Sequence, residues 1–124
     1  MIQLDVDVAD RPGELAKILA ILAREKINID AMSANSGGGR TYVSLLTDQP
    51  IKARQSLRKA GYECTQRTVI VISIADTPGA FAAIVRKLGD AGVDIQSVVQ
   101  LESMGDHVQL AVGVDNHDAA RALV

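Results

Sequence analysis

The feature that most constrains this chain is that it repeats itself. Displacing it by 66 positions sets "ADRPGELAKIL" (Ala9–Leu19) on "ADTPGAFAAIV" (Ala75–Val85). Ala9, Asp10, Pro12 and Gly13 fall on Ala75, Asp76, Pro78 and Gly79, and Ala16, Ile18, Leu22 and Ile29 on Ala82, Ile84, Leu88 and Ile95. The match continues without a gap to "YVSLLTD" (Tyr42–Asp48) against "VQLAVGV" (Val108–Val114). Equal spacing over such a length means two copies of one supersecondary unit, so the fold must be one that a single copy can define.

In the first copy, "IQLDVDV" alternates. Ile2, Leu4, Val6 and Val8 face one way and Gln3, Asp5 and Asp7 the other, the pattern of a strand with one buried and one wet face. Leu15, Ile18, Leu19 and Leu22 follow at helical spacing, as do Phe81, Ile84, Val85 and Leu88 in the second copy. A second strand is expected over about Ile27–Ala34. "GGGR" (Gly37–Arg40) then gives a hairpin turn, and Tyr42–Thr47 a third strand. Pro50 opens a second helix to about Ala60, which Gly61 stops. Tyr62–Gln66 is a fourth strand, and Thr68–Ile74 begins the next unit. Gly92 sits where the second copy's first helix must end, a place for a left-handed residue. The order strand, helix, strand, strand, helix, strand is the split βαβ pattern. The chain therefore reads as α+β: two ferredoxin-like βαββαβ units in tandem, 1–67 and 68–124, each an antiparallel sheet with helices on one face. The second unit stops after its second helix (Asn116–Val124) and lacks its last strand.

"VIVISI" (Val69–Ile74) is almost wholly apolar where the first copy alternates. That composition predicts a strand covered on both faces. The missing fourth strand would flank this one, so its edge invites pairing. Both features lead to the expectation of a homodimer or higher homo-oligomer.

Composition excludes several classes. A net charge of −2 over 124 residues gives no general attraction to nucleic acid or anionic lipid, and 48% apolar content is that of a globular protein. With no secretory leader pattern and no apolar run of about 20 residues, the expected location is cytoplasmic, away from membranes. The aromatics are Tyr42, Tyr62 and Phe81, too few for a base-stacking platform, so no nucleic acid is expected as a partner. Cys64, the one cysteine, reads as a buried structural thiol. His107 and His117 lie ten positions apart without metal spacing, and no metal or cofactor is expected. "SGGGR" lacks the helix and the Lys-Ser/Thr ending of a phosphate loop.

The doubled corner is where chemistry is expected. Pro12 and Pro78 suit a first helical position, which would put Gly13 and Gly79 inside the first turn. There glycine costs up to ~1 kcal/mol relative to alanine. A bare backbone would let a ligand reach the first-turn N–H groups, a site for a carboxylate, while Asp10 or Asp76 could accept from an ammonium group. A free amino acid carries both. The competing reading is a sharp turn and nothing more.

At these residues the chain resembles the ACT domain family. The resemblance is carried by "VADRPGELAKILAILAREKINIDAMSA" (Val8–Ala34) and "IADTPGAFAAIVRKLGDAGVDIQSVVQ" (Ile74–Gln100). It implies small ferredoxin-like modules that bind amino acids and regulate enzymes, transporters or transcription, with the ligand at an interface between two ACT units. The positions it marks in the loop after the first strand are Asp10, Arg11, Pro12, Gly13 and Glu14, with Asp76, Thr77, Pro78, Gly79 and Ala80. At the start of the second strand they are Asn28 and Ile29, with Asp94 and Ile95. In serine-binding members an Asn often stands where this chain has Asp10 and Asp76, and the strand position often taken by Asn is Asn28 in one unit and Asp94 in the other.

The function expected is thus a regulatory, non-catalytic protein that senses a free amino acid and modulates its own assembly or a separate enzyme or regulator. Two alternatives stay open: a ligand-free assembly module, and a small acylphosphatase-like hydrolase. The hydrolase would need an anion-binding Arg in a glycine-bearing first loop and a positioned Asn, which "DRPG" supplies poorly.

Overall fold

The computed structural model describes all residues from Met1 to Val124. The chain divides into two compact units, Ile2–Arg67 and Thr68–Val124, with Met1 going with the latter. Each is considered by itself.

The first unit runs β1 (Ile2–Ala9), α1 (Glu14–Arg24), β2 (Ile29–Gly37), β3 (Arg40–Thr47), α2 (Pro50–Lys59) and β4 (Cys64–Thr68). The sheet order is β2-β3-β1-β4, so β1 is central and β4 closes one edge. The β1–β3 register runs antiparallel from Leu4 opposite Leu45 to Ala9 opposite Arg40. The alternation of β1 brings Leu4, Val6 and Val8 onto the helices, where they meet Ile18, Ile21 and Leu22 of α1 and Ala53 and Leu57 of α2. Leu4, Ile18, Leu22, Leu45 and Leu57 are fully buried, each stabilising the fold by about 1.5–3 kcal/mol of hydrophobic transfer. Cys64 lies in the same core. Burial pushes its thiol pKa up, partly opposed by the Arg54 guanidinium. Gln3, expected on the wet face, is instead buried, and its Nε2 donates to Asp5 Oδ1 at 3.0 Å.

The second unit runs β5 (Ile70–Ala75), α3 (Ala80–Asp90), β6 (Ile95–Met104), β7 (His107–Val114) and a short α4 (His117–Arg121). Its sheet order is β5-β7-β6. This is the first sheet without its fourth position. Ile70, Ile72 and Ile74 face α3 and α4, joining Leu88, Leu110, Val112, Val114 and Ala120 in a second core. The expectation that both faces of this strand are covered does not hold along its length. Burial alternates, and Val71 is 41% exposed.

Three helices end in one way, and this shifts the strands that follow. Lys26, Gly61 and Gly92 have φ of 57°, 95° and 78°. The N–H of Ile27 reaches Leu22 O and that of Lys26 reaches Ala23 O; the same pair of bonds closes α2 (Tyr62 to Leu57, Gly61 to Arg58) and α3 (Val93 to Leu88, Gly92 to Gly89). This is the Schellman motif, with a left-handed residue just past the cap. It consumes Ile27 and Tyr62, so β2 begins at Ile29 and β4 at Cys64, two residues later than the periodicity predicts in each case. The β2–β3 turn is Gly38–Gly39, both at positive φ as a two-residue hairpin of this hand requires. The last helix is shorter than expected. Asn116 caps it, its Oδ1 accepting from Ala119 N at 3.0 Å, and it ends at Arg121.

Candidate functional site

The two corners after β1 and β5 have the same backbone and different side chains. Gly13 has φ 89°, ψ −13°, and Gly79 φ 87°, ψ −10°. The N–H of Glu14 donates to Arg11 O at 3.3 Å, and that of Ala80 to Thr77 O at 3.2 Å. A four-residue turn with Pro second, Gly third and positive φ at the glycine is a type II turn. This corrects the sequence expectation. Pro12 and Pro78 are not first helical residues. They stand at the second position of a turn, and Gly13 and Gly79 cap the helices from outside. Glycine is there because an L side chain resists that φ. A Cβ built on either glycine would meet nothing within 4 Å, so the space beside it is open for any residue and does not explain the choice.

The amides are still available. Lys17 N bonds Gly13 O and Ala83 N bonds Gly79 O, while the N–H groups of Gly13, Leu15 and Ala16, and of Gly79, Phe81 and Ala82, find no acceptor within the chain. Each set points outward at the positive end of an 11-residue helix.

Asp10 is held in place. Its N–H donates to Gly39 O at 3.0 Å, and its Oδ1 accepts from Ser36 Oγ at 3.3 Å and Thr41 Oγ1 at 3.4 Å. The loop is thereby tied to the β2–β3 turn. Asp76 N donates likewise to Asp106 O at 2.7 Å.

Around the first corner the side chains are ionic. Glu14 is nearly buried, and its Oε1 accepts from Arg11 at 2.8 Å and Lys17 at 3.3 Å. The hydrogen bond from Arg11 holds the Glu14 carboxyl below its ordinary pKa of 4.5, with burial opposing and Lys17 assisting. Arg40 pairs with Asp7 at 3.4 Å. Asp7, Arg11, Glu14 and Arg40, with Val8, Tyr62 and Glu63, line an open cleft of about 260 Å³ at the end of β1. That is below the roughly 300–1,000 Å³ of pockets for drug-sized ligands, and suits a molecule no larger than an amino acid. At the second corner the repeat replaces Arg11, Glu14, Asp7 and Arg40 by Thr77, Ala80, Ser73 and Asp106. Asp106 is engaged with His107 Nδ1 at 2.7 Å, and that hydrogen bond holds its carboxyl below the usual range.

The strand-start positions lie elsewhere. Ala9 is opposite Arg40 and Ile29 is opposite Thr47, so the loop and the start of β2 are at opposite ends of β3. Seven residues of strand separate them, roughly 23 Å. Asn28 N donates to Asp48 Oδ1 at 2.9 Å and its Nδ2 to Asp30 Oδ1 at 2.9 Å. Asp94 N donates to Asp115 Oδ1 at 2.9 Å in the same arrangement. Within a unit, therefore, Asp10, Arg11, Pro12, Gly13 and Glu14 come together, as do Asp76, Thr77, Pro78, Gly79 and Ala80. Asn28, Ile29, Asp94 and Ile95 do not join them. Asp7, Arg40, Tyr62 and Glu63 were not singled out in the sequence. Only the β1–β3 register could have drawn Arg40 to Asp7.

The architecture of the first unit, two helices over a β2-β3-β1-β4 antiparallel sheet, is that of a ferredoxin-like module. Residues 2–53 match the model of the ACT domain, and the second unit repeats the fold of the first short of one strand. Among solved structures the chain is similar to a protein of Bacteroides thetaiotaomicron, with a TM-score of 0.88, 22% identity, and coverage of 98% of this chain and 84% of that one. It is also similar to the regulatory subunit of aspartate kinase from Thermus thermophilus, with a TM-score of 0.74, 18% identity, and coverage of 98% and 89%. The corresponding subunit from Thermus flavus gives a TM-score of 0.69, 21% identity, and coverage of 98% and 89%. At these identities the likeness is one of fold. No curated protein matches the chain. No helix is long and apolar enough to cross a membrane.

Proposed function

We propose that the chain is a non-catalytic regulatory protein that binds a free amino acid at its ACT corners. The observation that carries this reading is the doubled type II turn, which leaves three outward N–H groups at the start of α1 and again at the start of α3. The ligand carboxylate would sit on these donors at the positive helix end. The ammonium group would meet Asp10 or Asp76. Because Asn28 and Asp94 lie at the far end of their own sheets from the corners, any part they play would be in a site completed by an adjacent unit.

Two further features support a sensor over a hydrolase. Arg11, the anion-binding arginine such a hydrolase would need, is already committed to Glu14. The cleft beside the first corner is lined by arginine–carboxylate pairs and holds no serine, threonine, cysteine, lysine or histidine. The similar solved regulatory subunits belong to aspartate kinases, and a separate enzyme of amino-acid metabolism is the class of partner this reading favours for the present chain.

The test is a thermal-shift screen against the twenty amino acids. Ligand at a hundred times its Kd stabilises the native state by about 2.7 kcal/mol. For a unit of this size that raises Tm by roughly 10–20 °C. A dose-dependent rise with one amino acid or a chemically related few is the expected result. A Tm unmoved by all twenty refutes the reading.

A further inference from the structure

The helix layer of the first unit carries a charge that its fold does not require, and duplication supplies the comparison. Over residues 14–26 and 50–58 there are six cations and two carboxylates; over the matching residues, 80–92 and 116–124, there are three and two. Lys17, Arg24, Lys52 and Arg54 stand where the second copy has Ala83, Asp90, Asp118 and Ala120. The second unit builds α3 and α4 at these positions without those cations, so helix packing does not call for them. Much of the charge is uncompensated. Arg24, Lys26, Arg58 and Lys59 are in no ion pair. α2 holds Lys52, Arg54, Arg58 and Lys59 with no acidic residue, and Arg54 and Arg58, one turn apart, repel each other. Two of the cations border a groove. Lys17, Ala20, Ile21 and Arg24 fall on one face of α1 by helical spacing. With Ala60 and Tyr62 beyond α2 they line a groove of about 340 Å³. Its apolar lining is Ala20, Ile21, Ala60 and the half-buried Tyr62 ring; its charged lining is Lys17 and Arg24.

We propose that this groove docks an acidic segment of a partner protein, which seats an apolar side chain against Ile21 and Tyr62 and sets its carboxylates on Arg24 and the cations of α2. Three observations choose that occupant. The unpaired positive charge selects an anion. A single-stranded nucleic acid needs a row of aromatic rings beside its phosphate contacts, and Tyr62 is the lone, half-buried aromatic of the groove. A lipid surface takes several protruding apolar side chains, and among the large apolar residues of α1 and α2 one is exposed, Ile51. A peptide with carboxylates around an apolar anchor uses both kinds of lining. Lys17 also holds Glu14 at 3.3 Å, so it is left in place in the variants that test the proposal.

This inference does not depend on amino-acid binding, and no free amino acid enters its test, so either can fail alone. Random peptides displayed on phage and selected on the full chain at low salt are expected to be enriched for Asp and Glu flanking Leu, Ile or Phe. Synthetic copies of the enriched peptides, followed by fluorescence anisotropy, should bind more weakly as salt rises. On the parent chain they should shift the amides of Ala20, Arg24 and Tyr62. Ala20→Glu with Arg24→Glu places two carboxylates on the α1 face and should weaken binding by about tenfold or more, with far-ultraviolet circular dichroism unchanged. Arg86→Glu with Lys87→Glu moves the net charge the same way on α3 and should leave the affinity as it was. An absence of enrichment overturns the proposal. So do enriched peptides that bind the two double variants alike, or that shift amides away from the groove. Tighter binding of oligothymidylate or of phosphatidylglycerol vesicles at the same residues also overturns it, and makes the occupant a nucleic acid or a lipid.

Discussion

Gly13→Ala separates the two reasons a glycine could stand at the first corner. If glycine is there to keep the backbone bare for a ligand, alanine leaves stability alone and weakens binding. If it is there for the turn, alanine weakens the fold. The structure decides for the turn, and the size of the effect can be worked out. Gly13 sits at φ 89°, ψ −13°. An L residue in the left-handed region costs about 1–2 kcal/mol. Losing glycine's flexibility in the unfolded chain returns about 0.4–1 kcal/mol. No clash adds to this, because the new Cβ meets nothing within 4 Å. The net loss is about 1 kcal/mol, which lowers Tm by about 4–8 °C in a unit of this size. Gly13→Asn should lose less, since asparagine tolerates this region better than alanine. Urea unfolding followed by circular dichroism measures both. A Gly13→Ala chain as stable as the parent, or an asparagine variant less stable than the alanine one, would refute the conformational argument.

Three further outcomes follow from the same geometry. Lys26 holds the left-handed position that Gly92 holds in the second unit, so Lys26→Gly should stabilise the first unit by about 0.5–1 kcal/mol in a denaturant titration. Asn116→Ala removes the cap on α4 and should cost about 1 kcal/mol, seen as faster amide exchange at Ala119 and Ala120. Glu14 has a lowered pKa in the folded chain. Its contribution is therefore complete above about pH 4.5 and disappears as pH falls through the lowered folded value. Glu14→Gln should then lose stability at neutral pH and differ less and less from the parent as the solution is acidified through that range. A stability gap that stays constant or widens on acidification would contradict this.

Much of the fold was legible in the sequence because duplication supplies an internal control. Where Ile18 and Leu22 recur at helical spacing, Ile84 and Leu88 repeat the period in the second copy, and the element order follows. The boundaries that moved were those set by hydrogen bonds rather than by periodicity. Ile27 and Tyr62 look like strand residues but are drawn into the Schellman ends of α1 and α2. The left-handed role of Lys26 carries no local signal; only its alignment with Gly92 marks it. Pro12–Gly13 was legible as a corner, but "Pro-Gly" before a helix fits both a first turn and a type II turn. The hydrogen bond from Glu14 N to Arg11 O separates them. The cleft was not legible. Arg40 reads as the end of a glycine turn, and its place beside Asp7 depends on a register between residues 33 positions apart. Gln3 kept its face but not its solvent, because alternation reports direction and not cover.

The central claim is that the bare amides at the two corners hold an amino acid. The most direct measurement is a titration of the isotope-labelled chain with the amino acid that raises Tm, read by amide chemical shifts. The account predicts saturable shifts centred on Gly13, Leu15 and Ala16, on Gly79, Phe81 and Ala82, or on both sets. Saturable binding that leaves all six amides unmoved would contradict it.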